Sequence, residues 1–376
     1  MSICFILANL NVGGQERLTI WLAEYFRSLG HEVCIVCLSG KGALLTECRE
    51  RSIEVTIPAA PYRASFLQLD LLRWLRRFFR ERRPDVVHSH AFEANYYARI
   101  AGLGLPGAFF AHEHNIYPDK RTVHFAIDSL LSRKSDRVIC ISHAVAEFHI
   151  RHEMLDRSKV SVIWNGVPLE RGKVMRSRRE VREELGIADA TPVLIATGSF
   201  KPQKGHTVLI DALARMKNRD CILVLAGSGP LEAECRALVA SRRLTERVRF
   251  AGAVDHIADY LEAADVFVLS SLWEGFGIAV VEAALSRRPI VATAVDGVVE
   301  IVRDMESAFL SMPGDAAALA TKLDFALNRM ASEPAMVHAM CETAYQRARE
   351  IFSLERMAGQ ILELYQEVLA GQVSAK

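Results

Sequence analysis

Two glutamates, Glu274 and Glu282, stand eight residues apart around a Phe-Gly pair in the run Glu274-Gly-Phe-Gly-Ile-Ala-Val-Val-Glu282. The apolar run Ala264 to Ser271 before them reads as a buried strand, and Ile278 to Ser286 after them reads as a helix. The glycine turn between strand and helix would present free backbone N–H groups to an anion lying at the helix start. Glu274 falls in the loop before that start. Glu282 falls in the second turn, where side chains lean back toward the N-terminus. Both carboxylates can therefore border one small volume that also receives a phosphate. A carboxylate beside a phosphate is electrostatically unfavourable unless it binds hydroxyls, so the pattern points to a sugar nucleotide.

Other loops carry compatible chemistry. Asn11-Val-Gly-Gly-Gln-Glu16 joins the first expected strand to the first expected helix. Gly13 and Gly14 there let backbone approach a ligand without a Cβ in the way. Gly198-Ser-Phe-Lys-Pro-Gln-Lys-Gly205 occupies the same place in the second half. Its Lys201 and Lys204 can neutralise a diphosphate as compact point charges, although the spacing is not that of a P-loop and surface lysines would read the same. Gly227-Ser-Gly-Pro230 reads equally as a plain turn opening a helix.

His88-Ser-His90 and His112-Glu-His114 end two strands expected to be neighbours, and positions two apart share a face. Four such imidazoles could hold zinc. The irregular spacing and the absence of a cysteine favour one polar histidine lining a cleft, and no metal is expected. The segment Ser65 to Arg83 reads as a helix in which Trp74, Leu75, Phe78 and Phe79 recur beside six arginines. That is a core-facing stripe with a solvated basic face, or a surface for anionic lipid.

These residues need a scaffold, and the chain supplies one by alternation. Strands are expected at 2–9, 32–38, 54–57, 85–88, 108–112, 137–141 and 160–163, with helices between them. After the breaker Asn165-Gly-Val-Pro168 and a charged run to Glu184, strands resume at 193–197, 221–226, 248–251, 265–269 and 290–293, with helices filling 315–370. This is the signature of parallel, doubly wound sheets, with ligands at the carboxyl ends of the strands. At 376 residues two domains are expected.

The chain carries 46 Lys and Arg against 45 Asp and Glu, for a net charge of +1, which disfavours a nucleic-acid partner. No run of 18 apolar residues is present to span a membrane, and no basic region precedes the strand residues at Ile3, so neither a spanning helix nor a secretory leader is expected. Eight cysteines, mostly within apolar runs, suit a reducing cytoplasm. Cys34 and Cys37 lie in one expected strand on opposite faces, which argues against a chelating or redox pair.

Taken together, the motifs resemble the retaining, nucleotide-sugar-dependent glycosyltransferases of family 4, whose GT-B architecture has two Rossmann-like domains facing a cleft. The most specific element is Glu274 to Glu282. Gly13-Gly14, Pro84-Asp-Val-Val-His-Ser-His90, His112-Glu-His114, Asn165-Gly-Val167 and Pro202-Gln-Lys-Gly205 support it in order and spacing. The resemblance implies an acceptor domain over 1–168, completed by a helix over 354–376 that crosses back, and a donor domain over 169–353. It implies that Lys204 meets the donor diphosphate, Glu282 the ribose, and Glu274 the sugar hydroxyls. Backbone of Phe276, Gly277, Ile278 and Ala279 would lie near sugar and phosphate, Val254 near the base, Gly14 near the diphosphate, and His114 beside the transferred sugar.

No cofactor or metal is implied. The partners implied are a nucleotide-sugar, most simply a UDP-sugar, and a glycan or lipid-linked acceptor, with the enzyme cytoplasmic or peripheral at the inner membrane face. Ser199 departs from the family's arginine, and Lys201 is the expected substitute; Ser228 replaces a common aspartate. Rival readings are a sugar-nucleotide epimerase of the same architecture and a non-catalytic sugar-binding scaffold. A dinucleotide oxidoreductase is disfavoured because neither half opens with G-x-G-x-x-G and an acidic partner.

Overall fold

A computed structural model describes residues 1–63, 67–117 and 122–374. The chain forms two compact units, Met1–Gly166 with Leu354–Lys376, and Val167–Ser353.

The first unit is built on a seven-stranded sheet. Its strands are β1 (Ser2–Leu7), β2 (Glu32–Cys37), β3 (Glu54–Thr56), β4 (Val86–His90), β5 (Ala108–Glu113), β6 (Arg137–Cys140) and β7 (Val160–Val162), in the order β3-β2-β1-β4-β5-β6-β7. Every pairing is parallel. Continuous apolar strands such as Ile3-Cys-Phe-Ile-Leu7 are what a sheet covered on both faces demands. The winding direction reverses between β1 and β4, the kind of switch point at which open parallel sheets bind ligands.

The second unit repeats the plan with six strands: β8 (Val193–Thr197), β9 (Ile222–Ala226), β10 (Val248–Gly252), β11 (Val266–Leu269), β12 (Ile290–Thr293) and β13 (Phe309–Ser311). Their order is β10-β9-β8-β11-β12-β13, all parallel. Here the reversal lies between β8 and β11. The lysine loop leaves β8 and the first glutamate's loop leaves β11, so topology alone makes them neighbours. The two-unit α/β architecture is as expected.

Three local departures have physical causes. The charged run before residue 185 is not wholly irregular: Arg178–Glu184 is a helix started by a capping box between Ser177 and Glu180. Its buried Arg182 donates to the carbonyls of Ala263, Ala188, Asp189 and Thr191 and to Asp265. A guanidinium therefore docks this helix where an apolar stripe would be expected. The short helix Asp296–Ile301 and the strand β13 are too brief to show a period.

The last helix, Leu354–Ser374, returns to the first unit as expected. Leu354, Met357, Ala358, Ile361, Leu364, Tyr365 and Val368 lie in the same core as Phe5, Trp21 and Phe26. In the helix Leu69–Arg82, Leu71, Leu75, Phe78 and Phe79 face the core, and Trp74 stacks on Phe78. The expected helical residues 65 and 66 lie outside the described residues. The aromatic stripe is thus packed inward, while Leu69, Asp70, Arg73, Arg77, Arg80, Glu81 and Arg82 are exposed. All eight cysteines are free thiols. Among the described residues no helix is long and apolar enough to cross a membrane.

Candidate active site

In the second unit, the loop after β8 ends in a single 3-10 turn, Pro202–Lys204, and reverses at Gly205. Gly205 has φ +58°, and a Cβ there would sit 2.2 Å from the Ser270 carbonyl oxygen. Only glycine permits this approach. The loop after β11 is sewn to it: the Ser270 hydroxyl donates to the Lys204 carbonyl at 2.9 Å, and the Leu272 N–H to the Gln203 carbonyl at 2.8 Å. Across this seam the Lys204 ammonium pairs with Glu274 Oε1, which also accepts from the Ser271 hydroxyl at 2.8 Å. Glu274 is buried and Lys204 half-buried.

The helix Ile278–Leu285 starts a few residues beyond. Its N-cap, Gly277, has φ +115° and offers no side chain to cap the helix. Val280 N–H turns back to the Gly277 carbonyl at 2.9 Å, and the N–H groups of Ile278 and Ala279, without a partner among the described residues, can meet an anion beside Lys204. The Phe276 side chain is buried against Phe352, with ring centroids 5.4 Å apart, so only its backbone can face a ligand. Gly297 fixes this turn from behind: its N–H donates to the Glu274 carbonyl at 3.3 Å, and a Cβ would lie 2.6 Å from Phe276 N.

One turn into that helix, Glu282 is nearly buried and receives a fork from Arg171. Nε and Nη2 reach Oε1 at 3.0 and 2.7 Å, and Nη1 reaches the Asp255 carbonyl at 3.1 Å. Val254, expected beside the base, is half-buried in that same loop. Ser199 and Lys201 lie in the loop after β8, with Lys201 exposed. The Gly227-Ser-Gly229 turn has a packing role, because a Cβ on Gly227 would lie 2.0 Å from the Gly198 carbonyl and one on Gly229 would lie 2.6 Å from Phe200 N. Phe200 in turn stacks on His206, whose imidazole burial pushes down to about 4.

In the first unit, Gly13 caps the helix Gly14–Ser28 with extended backbone, and Gly14 is exposed. A Cβ on Gly13 would lie 2.3 Å from Glu16 Oε2. The histidines end β4 and β5, where His90 and His112 are register partners. His88 Nε2 meets His112 Nδ1 at 3.1 Å, and His90 Nδ1 meets His114 Nε2 at 2.8 Å. The two hydrogen-bonded pairs lie face to face, with ring centroids of His88 and His90 4.5 Å apart and those of His112 and His114 4.2 Å apart.

His88, His90 and His112 offer ligand atoms within 4.8 Å of one another. Their ring planes, however, incline to one another by only 10 to 32°. In-plane lone pairs on stacked rings run side by side and do not converge as a tetrahedral ion requires. Burial drives all four imidazoles toward the neutral form, His114 to about 3, although His114 keeps part of its surface open.

Residue type and spacing point to Lys204, Glu274 and Glu282 but not to Arg171 or Gly297. Arg171 sits in a charged run that looks like solvated linker, and only its offset of four from Val167 in the Asn-Gly-Val element marks it. Gly297 resembles any loop glycine until the backbone it touches is known.

Residues 12–171 match the family model described as Glycosyltransferase Family 4, and residues 177–347 match Glycosyl transferases group 1. An N-acetyl-alpha-D-glucosaminyl L-malate synthase of Bacillus anthracis is 27% identical over 245 residues, covering 65% of this chain and 62% of that protein. The chain therefore spans less than two thirds of that relative's length. A UDP-Gal:alpha-D-GlcNAc-diphosphoundecaprenol alpha-1,3-galactosyltransferase of Escherichia coli is 24% identical over 378 residues, 96% of this chain and 95% of that one. In fold, the chain is similar to Anabaena HepE, solved in complex with UDP and glucose, with a TM-score of 0.87 at 23% identity, covering 98% of this chain and 100% of that one.

Proposed function

We propose, for a chain that belongs to the family 4 type of glycosyltransferases with the GT-B fold, that it transfers a sugar from a UDP-sugar to a lipid-linked or polysaccharide acceptor, with retention of configuration and without a metal. The observation that carries this reading is the Lys204–Glu274 pair beside the uncapped start of helix Ile278–Leu285. One compact cation and a row of backbone N–H groups suit a departing diphosphate, and an adjacent buried carboxylate suits sugar hydroxyls. Charge placed in advance where the leaving group develops its own is a large catalytic term. The names of the Escherichia coli relative and of the Anabaena structure specify uridine nucleotides, and this supports UDP as the carrier.

In the proposed step the bond from the anomeric carbon to the phosphate oxygen breaks. The bond to the acceptor oxygen forms on the same face, and the acceptor's proton passes to the departing phosphate. No separate base is then required. Neutral His114, with its value near 3, is a poor proton acceptor at neutral pH. A cytoplasmic site of action is supported by the eight free thiols. Peripheral contact with an anionic inner membrane face would rest on the outward Arg73, Arg77, Arg80 and Arg83, with Leu67 and Leu69 exposed at the start of the same helix.

The test is turnover of a panel of nucleotide-sugars with a glycan acceptor, comparing wild type with Lys204→Ala and Glu274→Ala. Both variants should fold and lose transfer. Near-wild-type transfer by either would reject the assigned roles, and an epimerised sugar-nucleotide formed without acceptor would favour an epimerase.

A further inference from the structure

We propose that Arg171 is the positioning residue of the nucleoside end of the donor site, and that it sets the preference for ribose over 2′-deoxyribose. The inference rests on the reading of Glu282 as the ribose anchor.

All three guanidinium nitrogens are committed. Nε and Nη2 converge on Glu282 Oε1, and Nη1 holds the carbonyl of Asp255, next to Val254. One side chain thus ties the proposed ribose anchor to the loop proposed to receive the base. Both bonds to the carboxylate fall on Oε1. Oε2 accepts none among the described residues, while the Glu282 side chain keeps 11% of its surface open. The carboxylate is therefore held in one rotamer with one oxygen left over, which is the state a pair of vicinal hydroxyls needs.

The backbone carrying Arg171 is itself fixed. It lies in the turn Leu169–Gly172, and a Cβ on Gly172 would lie 3.1 Å from the Leu285 carbonyl at the end of the helix that bears Glu282. A planar fork is required, because a lysine in this place reaches Oε1 or the Asp255 carbonyl but cannot make the three bonds at once. With Arg171 removed, Glu282 is a nearly buried carboxylate without a cation, and it turns toward water.

The experiment is calorimetric titration of UDP and of 2′-deoxy-UDP into wild type, Arg171→Gln, Arg171→Lys and Glu282→Gln, with the melting temperature and the KM and kcat for donor measured alongside. Wild type should bind UDP about tenfold or more tighter than 2′-deoxy-UDP, the size of one well-made hydrogen bond to a charged group. Arg171→Gln should bring that ratio close to one by weakening UDP alone, raising KM with little change in kcat. Arg171→Lys should fall between them. If Arg171→Gln keeps the wild-type ratio while Glu282→Gln loses it, the role of Arg171 is wrong and the ribose anchor stands. Equal weakening of both nucleotides with a lowered melting temperature would make Arg171 a brace for the fold and overturn the proposal. If Glu282→Gln keeps the ratio, the ribose anchor falls and this inference falls with it.

Discussion

Lys204 and Glu274 form an ion pair across the switch point of the second sheet, between the loops that leave β8 and β11. The pair is a product of strand order. The two residues are 70 apart in sequence, and they meet because β8 and β11 are hydrogen-bonded neighbours at the point where the winding reverses. Each charge holds the other in place.

Removing the lysine should therefore do two separable things. Lys204→Ala should lower kcat by about 10² to 10³, as the loss of one preorganised charge does elsewhere. It should also destabilise the fold by about 1–3 kcal/mol, because Glu274 is left buried without its cation. Adding Glu274→Gln should restore most of the stability and none of the activity. Urea midpoints for the single and double variants check this, and an unchanged midpoint in Lys204→Ala would contradict it.

Ser199 stands where the family pattern has an arginine, and in the proposed donor site exposed Lys201 is the candidate to replace its charge. Lys201→Ala should weaken UDP binding by about tenfold, equivalent to about 1.4 kcal/mol. Ser199→Arg in that background should recover it. Titration of UDP reads both, and unchanged affinity in Lys201→Ala would remove Lys201 from the site.

The four strand-end histidines make the fold sensitive to acid. Burial depresses their values, that of His114 to about 3, whereas the unfolded chain titrates near an ordinary 6.5. The unfolded chain therefore gains protons that the folded chain refuses. Stability should be intact above pH ~6.5 and fall as pH drops from there toward 3, by about 1.4 kcal/mol per pH unit for each such histidine. Denaturant midpoints at pH 7.5, 6.0 and 5.0 measure the slope, and a His112→Asn variant should show a shallower one. For the same reason the pH–rate profile should show no limb from His114 between pH 5 and 8.

Gly297 has no room for a side chain against the Gly275–Phe276 backbone. Gly297→Ala should push that turn away from the helix start and destabilise the fold by about 1–3 kcal/mol, the usual cost of overpacking. Donor KM should rise. Thermal melts and donor kinetics decide it, and wild-type values for both would show that the turn tolerates the shift.

Much of the fold and part of the site are legible in the sequence. Alternating apolar strands and amphipathic helices give two doubly wound units, and the spacing from Glu274 to Glu282 marks a helix start with carboxylates on the same side. Other features are not legible there. Arg182 docks its helix through carbonyl oxygens, so the segment carries no apolar stripe to read. Arg171 acts only because its turn lies against the helix of Glu282, more than 100 residues away. The aromatic helix is amphipathic in a way that suits lipid or core alike, and burial of Leu75, Phe78 and Phe79 assigns that face to the core. Sequence period reveals which face is apolar; it does not reveal what covers it.

Same-face transfer is tested by the anomeric configuration of the product, read by proton NMR coupling after reaction of an α-linked UDP-sugar with a glycan acceptor. Wild type should form an α-linked product, and Lys204→Ala should form none. A β-linked product would contradict the same-face transfer proposed here.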